Sequence, residues 1–340
     1  LLSAPNLLER GEARIYRGEN LEAISLPLGG IGAGLIQMDG KAMPHIWQIH
    51  NNHIGVRVPD SFFAIAVGQD GKRIVRALQT EAVGAIEPMA GLSFEGRYPF
   101  GWYRFEDDAL PAEVSLEVFN PLVPLNAKDS GFPCAIFTVT VTNPTDRSLN
   151  VALLGAQQNA VGLMPDQTLE GRANNGYGKN VNACVHLDGG TALHMTQTPE
   201  PGASGTNVGG TTACCSGAVC SPGQCVPSMT LTLLDASAQA AVSWTDSADL
   251  RNALAAGTMP EGPSVSQPSN AGETHNGAVS CAFQLAPGMT EKRTFILTWY
   301  LPNEEAGRWR GQGVMYTHWW RNSLEVARDI AARLEELTVS

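Results

Sequence analysis

Ala135-Ile-Phe-Thr-Val-Thr-Val-Thr-Asn143 alternates apolar and polar residues, with Phe137, Val139 and Val141 opposite Thr138, Thr140 and Thr142. Successive side chains of a β-strand point to opposite faces, so a period of two predicts a strand with one face buried. The pattern recurs in Glu113–Phe119, where Val114, Leu116 and Val118 oppose Ser115 and Glu117. It returns in Thr294–Leu301, with Phe295, Leu297, Trp299 and Leu301 opposite Thr294 and Thr298. Asp39-Gly40, Asp70-Gly71, Asn175-Gly176 and Asn276-Gly277 read as hairpin turns, because Gly and Asn accept the positive φ that tight turns need. Strands and helices do not alternate regularly, which argues against a doubly wound α/β fold. The reading is all-β: a large antiparallel two-sheet β-sandwich over residues 1–305, followed by a C-terminal linker α-helix within 306–340.

Composition supports a buried core. Of the 340 residues 43% are hydrophobic, too many for wholesale disorder, and 36 Gly with 21 Pro favour a turn-dense β-protein over a helical bundle. Lys and Arg number 22 against 33 Asp and Glu, a net charge of −11 that repels phosphate backbones and excludes nucleic acid as a partner. A transmembrane segment is not expected, since no run reaches the roughly 18 apolar residues of a spanning helix. The chain begins at Leu1 without a leader pattern, which suggests a processed product or a segment of something longer. Localisation stays open, with a soluble, cytoplasmic setting favoured.

Two regions break the strand pattern. Residues 199–228 form an irregular insert rich in Gly, Ser, Thr, Pro and Cys. Cys214, Cys215, Cys220 and Cys225 miss the paired spacing of a zinc ribbon and read as a disulfide-stapled or free-thiol loop. Cys134, Cys184 and Cys281 stand singly and read as buried structural thiols. Near the C-terminus Trp320, Leu324, Ala327, Ala331 and Leu334 recur at helical spacing, and Arg321 can pair with Glu325 on the wetter side.

The candidate site is polar and aromatic. Residues 44–53 combine His45, Trp47, Gln48, His50, Asn51, Asn52 and His53, a set that offers a flat apolar face to a sugar ring and amides to its hydroxyls. The histidines lack metal-ligand spacing, so neither metal nor cofactor is expected. Leu28–Leu35 is glycine-rich but lacks the Gly-Lys-Ser/Thr ending of a phosphate loop, and reads as a close approach of backbone to another surface. Asp107, Asp108, Glu113, Glu117 and Asp129 are the central carboxylates. Glycoside cleavage needs two carboxylates about 5–5.5 Å or roughly 6.5–9.5 Å apart, a separation the linear chain cannot display.

Three blocks carry a resemblance: Pro27-Leu-Gly-Gly-Ile-Gly-Ala-Gly-Leu-Ile36; Pro124-Leu-Asn-Ala-Lys-Asp-Ser-Gly-Phe-Pro133 with Ala135–Pro144; and Phe295–Pro302 with Tyr316–Leu337. In this order they resemble glycoside hydrolase family 116, which includes bacterial β-glucosidases and the non-lysosomal glucosylceramidase, also called bile-acid β-glucosidase. The resemblance implies the N-terminal β-sandwich of an enzyme whose catalytic (α/α)6 barrel follows, with the helix in 306–340 leading to it. It also implies a β-glucoside or glucosylceramide-like substrate and a retaining mechanism. The family's nucleophilic Glu and acid/base Asp belong to the barrel, so no catalytic residue is assigned here and the segment is expected to be inactive alone. Residues 44–53, together with Asn126 and Asp129 in the turn at 126–130, are expected at the interdomain edge, supporting or narrowing the substrate entrance. Two alternatives stand beside this reading. One is a stand-alone carbohydrate-binding module with Trp47 and Trp102 as stacking platforms; the other is an interaction domain docking through the helix at 316–337.

Overall fold

The computed structural model describes residues 13–50, 52–53, 55–164, 173–198, 227–302 and 314–339. In chain order the first strands are β1 (Ile15–Tyr16), β2 (Ser25–Leu28), β3 (Leu35–Asp39), β4 (Pro44–Gln48), β5 (Phe62–Gln69) and β6 (Lys72–Ala77). Then come β7 (Gly91–Arg97), β8 (Phe100–Glu106), β9 (Glu113–Phe119) and a one-turn helix, α1 (Ala127–Ser130). Strands β10 (Cys134–Thr142), β11 (Leu149–Gln158), β12 (Asn180–Leu187), β13 (Gly190–Gln197), β14 (Ser228–Leu234) and β15 (Gln239–Trp244) follow. Helix α2 (Ser247–Ala256) precedes β16 (Asn276–Leu285) and β17 (Thr290–Tyr300), and helices α3 (Ser323–Ala332) and α4 (Leu334–Val339) come last.

The chain is an all-β sandwich with short helices. One sheet runs β1-β7-β8-β9-β10-β17-β14-β13-β12, and the facing sheet runs β15-β16-β11-β5-β6. The paired strands are antiparallel, as with β10 between β9 and β17. Phe63 of the smaller sheet meets Phe137 and Phe295 of the larger at ring-centroid distances of 4.8 and 5.0 Å, which locates the core between the sheets. The expected alternation is present there: Phe137, Val139, Val141, Phe295, Leu297 and Trp299 are buried in this core.

A third sheet, β2-β3-β4, packs on the nine-stranded sheet and was not read from the sequence. Its Leu28, Ile36 and Met38 share the core with Tyr103 and Leu116, and the Tyr103 hydroxyl donates to the Asp39 carbonyl at 2.9 Å. Asp70-Gly71 is a two-residue hairpin with φ of 51° and 78°. Asn276-Gly277 is not a turn: it opens β16 opposite Gln158 and Gln157. The glycine serves packing there, because a Cβ on Gly277 would lie 2.5 Å from Leu193 Cδ2.

Helices cover both outer faces. Asp246 caps α2 by accepting from the Ala248 amide at 2.8 Å, and Leu250 and Leu254 rest on Ala64, Ala152, Ala156 and Ala278. The C-terminal helix differs from its expected stripe. Trp320 precedes α3, Leu324 is only half-buried, and the buried face is Ser323, Val326, Ala327 and Ile330. The rotation has a polar cause: strand threonines lie beneath, and Ser323 is buried because Thr230 Oγ1 meets its hydroxyl at 2.7 Å while Thr298 donates to its carbonyl at 2.8 Å. The expected Arg321–Glu325 side-chain pair is replaced by a cap, in which the Glu325 carboxylate accepts from the Arg321 backbone amide at 2.8 Å. Cys134 and Cys281 are buried free thiols and Cys184 is half-buried. Burial pushes the Cys281 thiol up to about 12. Cys214, Cys215, Cys220 and Cys225 lie outside the described residues.

Candidate functional site

The glycine-rich run 29–34 joins the two candidate segments at one end of the sandwich. Gly30 N donates to the Phe132 carbonyl at 3.0 Å and Ile31 N to the Ser130 carbonyl at 2.7 Å. No side chain fits at Gly30, where a Cβ would lie 2.4 Å from the Phe132 oxygen. At Gly34 (φ +82°) a Cβ would lie 2.6 Å from the Gln48 carbonyl oxygen. The loop therefore touches 130–132 on one side and 48–49 on the other, and Trp299 Nε1 donates to the Ala33 carbonyl at 2.6 Å. This is the close backbone approach expected of the run, not a phosphate cradle.

Within 44–53 the side chains divide by role. Trp47 is fully buried (0% exposed) and its indole N–H donates to the Pro44 carbonyl at 3.3 Å. A sugar cannot stack on a ring enclosed in the core, so Trp47 backs the segment from within. His45 Nδ1 donates to the Gln37 carbonyl at 3.0 Å, and Gln48 donates to the His53 carbonyl at 3.0 Å. Asn52 accepts from the His50 amide and donates to the Trp47 carbonyl, both at 3.0 Å, closing the segment on itself. The His50 Nε2–H donates to the Ala160 carbonyl at 2.9 Å, leaving Nδ1 buried as a bare acceptor with no partner among the described residues. Burial lowers the His50 pKa to about 4, so the ring is neutral near pH 7. Asn51 lies outside the described residues.

In the second segment Asn126 caps α1, accepting from the Asp129 amide at 3.0 Å and donating to its carboxylate at 2.8 Å. Asp129 is only 4% exposed and receives both guanidinium arms of Arg333 at 2.8 and 2.7 Å. These bonds hold the Asp129 carboxyl below the usual carboxylate range. Lys128 Nζ reaches Asp329 at 3.0 Å, and Trp320 Nε1 donates to the same carboxylate at 3.0 Å. The turn and the C-terminal helix are thus locked together by Lys128, Asp129, Trp320, Asp329 and Arg333. The sequence reading missed Arg333 and Asp329; their spacing of four on a helix was the available signal.

Two of the other central carboxylates, Asp107 and Glu117, are engaged by side chains, whereas Asp108 and Glu113 are exposed. Asp107 binds Arg76 at 2.6 Å, and Glu117 accepts from Trp102 Nε1 at 2.6 Å. Glu113 and Glu117 are four positions apart on β9, with about 13 Å of strand between their Cα atoms. Trp102 stacks on Phe100 at 5.7 Å. Among the described residues no group of three or more His, Cys, Asp or Glu is placed to hold a metal ion. The geometry provides a hydrogen-bonded end at which Asp129 and Glu336 share the Arg333 guanidinium, each at 2.7 Å.

Residues 25–337 match the family model described as beta-glucosidase 2, glycosyl-hydrolase family 116 N-term. The chain belongs to that family. Solved structures similar to this family 116 domain include a putative kojibiose phosphorylase from human microbiome, at 10% identity and TM-score 0.43, covering 95% of this chain and 34% of that one. A putative aldose 1-epimerase from Klebsiella pneumoniae matches at 10% identity and TM-score 0.29, over 74% of this chain and 59% of its own. The family 116 domain therefore spans about a third of the length of the phosphorylase-like chain it resembles. No helix among the described residues is long and apolar enough to cross a membrane.

Proposed function

We propose that this domain is the accessory half of a retaining β-glucosidase or glucosylceramidase, and that the end built from 29–34, 44–53 and 124–133 rests against the catalytic barrel beside its substrate entrance. The family match over residues 25–337 carries the reading. The bonds that join Gly30 and Ile31 to 130–132 support it, since a wall that helps hold a sugar in one pose must itself be rigid. In this reading His45, Gln48, His50, Asn52, Asn126 and Asp129 frame the edge, with Trp47 as their buried support, and Asn51 is assigned to the same set from the sequence alone. The substrate is a β-glucoside or glucosylceramide-like molecule, and the bond-breaking carboxylates reside on the barrel. A cytoplasmic setting belongs to the same reading, in keeping with free Cys134, Cys184 and Cys281.

Hydrolysis of an aryl β-glucoside by the full-length product, assayed beside the 340-residue chain, tests the assignment. Turnover is expected from the full-length enzyme only, and turnover by the chain alone overturns it. The anomer first released, read by NMR, separates retention from inversion. His50→Ala in the full-length enzyme is expected to raise KM threefold or more while kcat changes less. An unaltered KM would remove His50 from the entrance.

A further inference from the structure

Three large apolar side chains from distant parts of the chain surround the turn α1 and face outward. Leu125 is wholly exposed at 109%, Ile31 is 60% exposed and Met315 is 37% exposed. Their proximity follows from the backbone. Ile31 N donates to the Ser130 carbonyl at 2.7 Å, and Leu125 precedes Asn126, the cap of the turn. Met315 Cε lies 3.2 Å from where a Cβ on Gly131 would stand.

Leu125 is the informative member. Its φ of +64° is left-handed, a region where a leucine Cβ crowds the backbone and where Gly or Asn sits with less strain. The backbone cannot relax easily, because the turn is tied on both sides. Ser130 Oγ donates to the Val123 carbonyl at 2.7 Å and accepts from the Val123 amide at 3.0 Å, while Asn126 N donates to the Val123 carbonyl at 3.1 Å. Leucine at this position is unfavourable twice within the domain, once as backbone strain and once as apolar surface left in water. Both features make sense for an anchor that another surface buries.

We infer that Leu125, Ile31 and Met315 form the anchor by which this domain docks the remainder of its own family 116 enzyme. The inference rests on the accessory-domain reading above and specifies its contact surface. The family model describes an N-terminal part, so a C-terminal part belongs to the same polypeptide. Helices α3 and α4, nearest in sequence to that part, are tied to the same turn through Arg333–Asp129 and Lys128–Asp329. The covalent connection supplies the high effective concentration that lets a three-residue apolar patch suffice.

Leu125→Asn gives a test with opposite signs. In the 340-residue chain the variant should melt no lower than the parent, because Asn accepts the left-handed backbone and no contact is lost. In the full-length enzyme the same change should lower the melting midpoint by at least about 2–4 °C, and Ile31→Asn should act in the same direction. Ile15→Asn, at an exposed position on the edge strand β1, should move both forms equally. An unchanged full-length midpoint overturns the anchor. Self-association of the 340-residue chain that Leu125→Asn abolishes would assign the patch to a second copy and also overturn it. Glucosidase activity of the parent full-length enzyme is scored separately, so an enzyme that hydrolyses nothing sinks the functional reading while the melting series still decides the docking surface.

Discussion

Helix α2 lies on a carpet of alanines, with Leu250 and Leu254 set against Ala64, Ala152, Ala156 and Ala278. Helix α3 lies on the opposite outer face and combines Val326 and Ile330 with directional bonds. Ser323 engages Thr230, Thr298 and Ser228, and beyond the helix Arg333 grips Asp129. Burial of apolar area is non-directional, so it tells a helix where to sit and leaves its rotation loosely set. Hydrogen bonds are angular, and those under α3 set its rotation and register. Helix α2 has directional ties as well, since Ser247 Oγ accepts from the Ala85 amide at 2.9 Å and the Ala255 carbonyl accepts from Arg73. Helix α3, however, carries three at Ser323 alone and belongs to the end where the candidate residues converge.

The comparison breaks most directly by emptying each contact. Phe132 stacks on Trp320 at 4.6 Å, and Phe132→Ala should cost about 3–5 kcal/mol in urea unfolding. Leu254→Ala under α2 should cost about 2–4 kcal/mol, and a clearly greater loss there would reverse the weight assigned to the two faces. Asp129→Asn is the sharper probe, with an expected loss of about 1–3 kcal/mol. It should raise amide exchange in α3 and α4 and leave α2 unchanged; equal exchange in all three would deny the latch its local role. The carboxyl pKa of Asp129 is lowered by Arg333, so its contribution is complete above the ordinary value of 3.8 and disappears as pH falls through the lowered one.

An effect confined to acid is expected at His194, which contacts Thr230 Oγ1 at 2.9 Å beside Ser323. Burial, aided by Arg328, lowers its pKa from 6.5 to about 4. Between those values the unfolded chain takes a proton that the folded one refuses, so stability declines as pH falls from 6.5 to 4. His194→Gln should flatten that slope in part, leaving the share carried by His50, whose pKa is lowered likewise. An acid limb identical to the parent's would place His194 outside the linkage.

Much of this was legible in the chain. Phe137, Val139 and Val141 face the core as their alternation requires, and the glycines at 30 and 34 mark close backbone approaches. Asn276-Gly277 was misread because a glycine needed for a turn and one needed beneath Leu193 look alike in sequence. Trp47 was read among sugar-contacting candidates by composition, yet Ile36 opposite it on β3 is also fully buried and shows which way the segment faces. The partner of Asp129 lay 204 positions away, beyond any spacing rule.

Strand identity, the sandwich class and the acidic balance follow from the amino-acid order, because side-chain alternation is a local property that burial of one face converts directly into a sheet. Which residues of the C-terminal helix are buried, which carboxylate meets Arg333, and which leucine is left outward at +64° were decided only in the assembled molecule. Those outcomes depend on contacts between segments far apart in the chain, where neighbouring surfaces set burial and hydrogen-bond geometry and residue spacing carries no information about them.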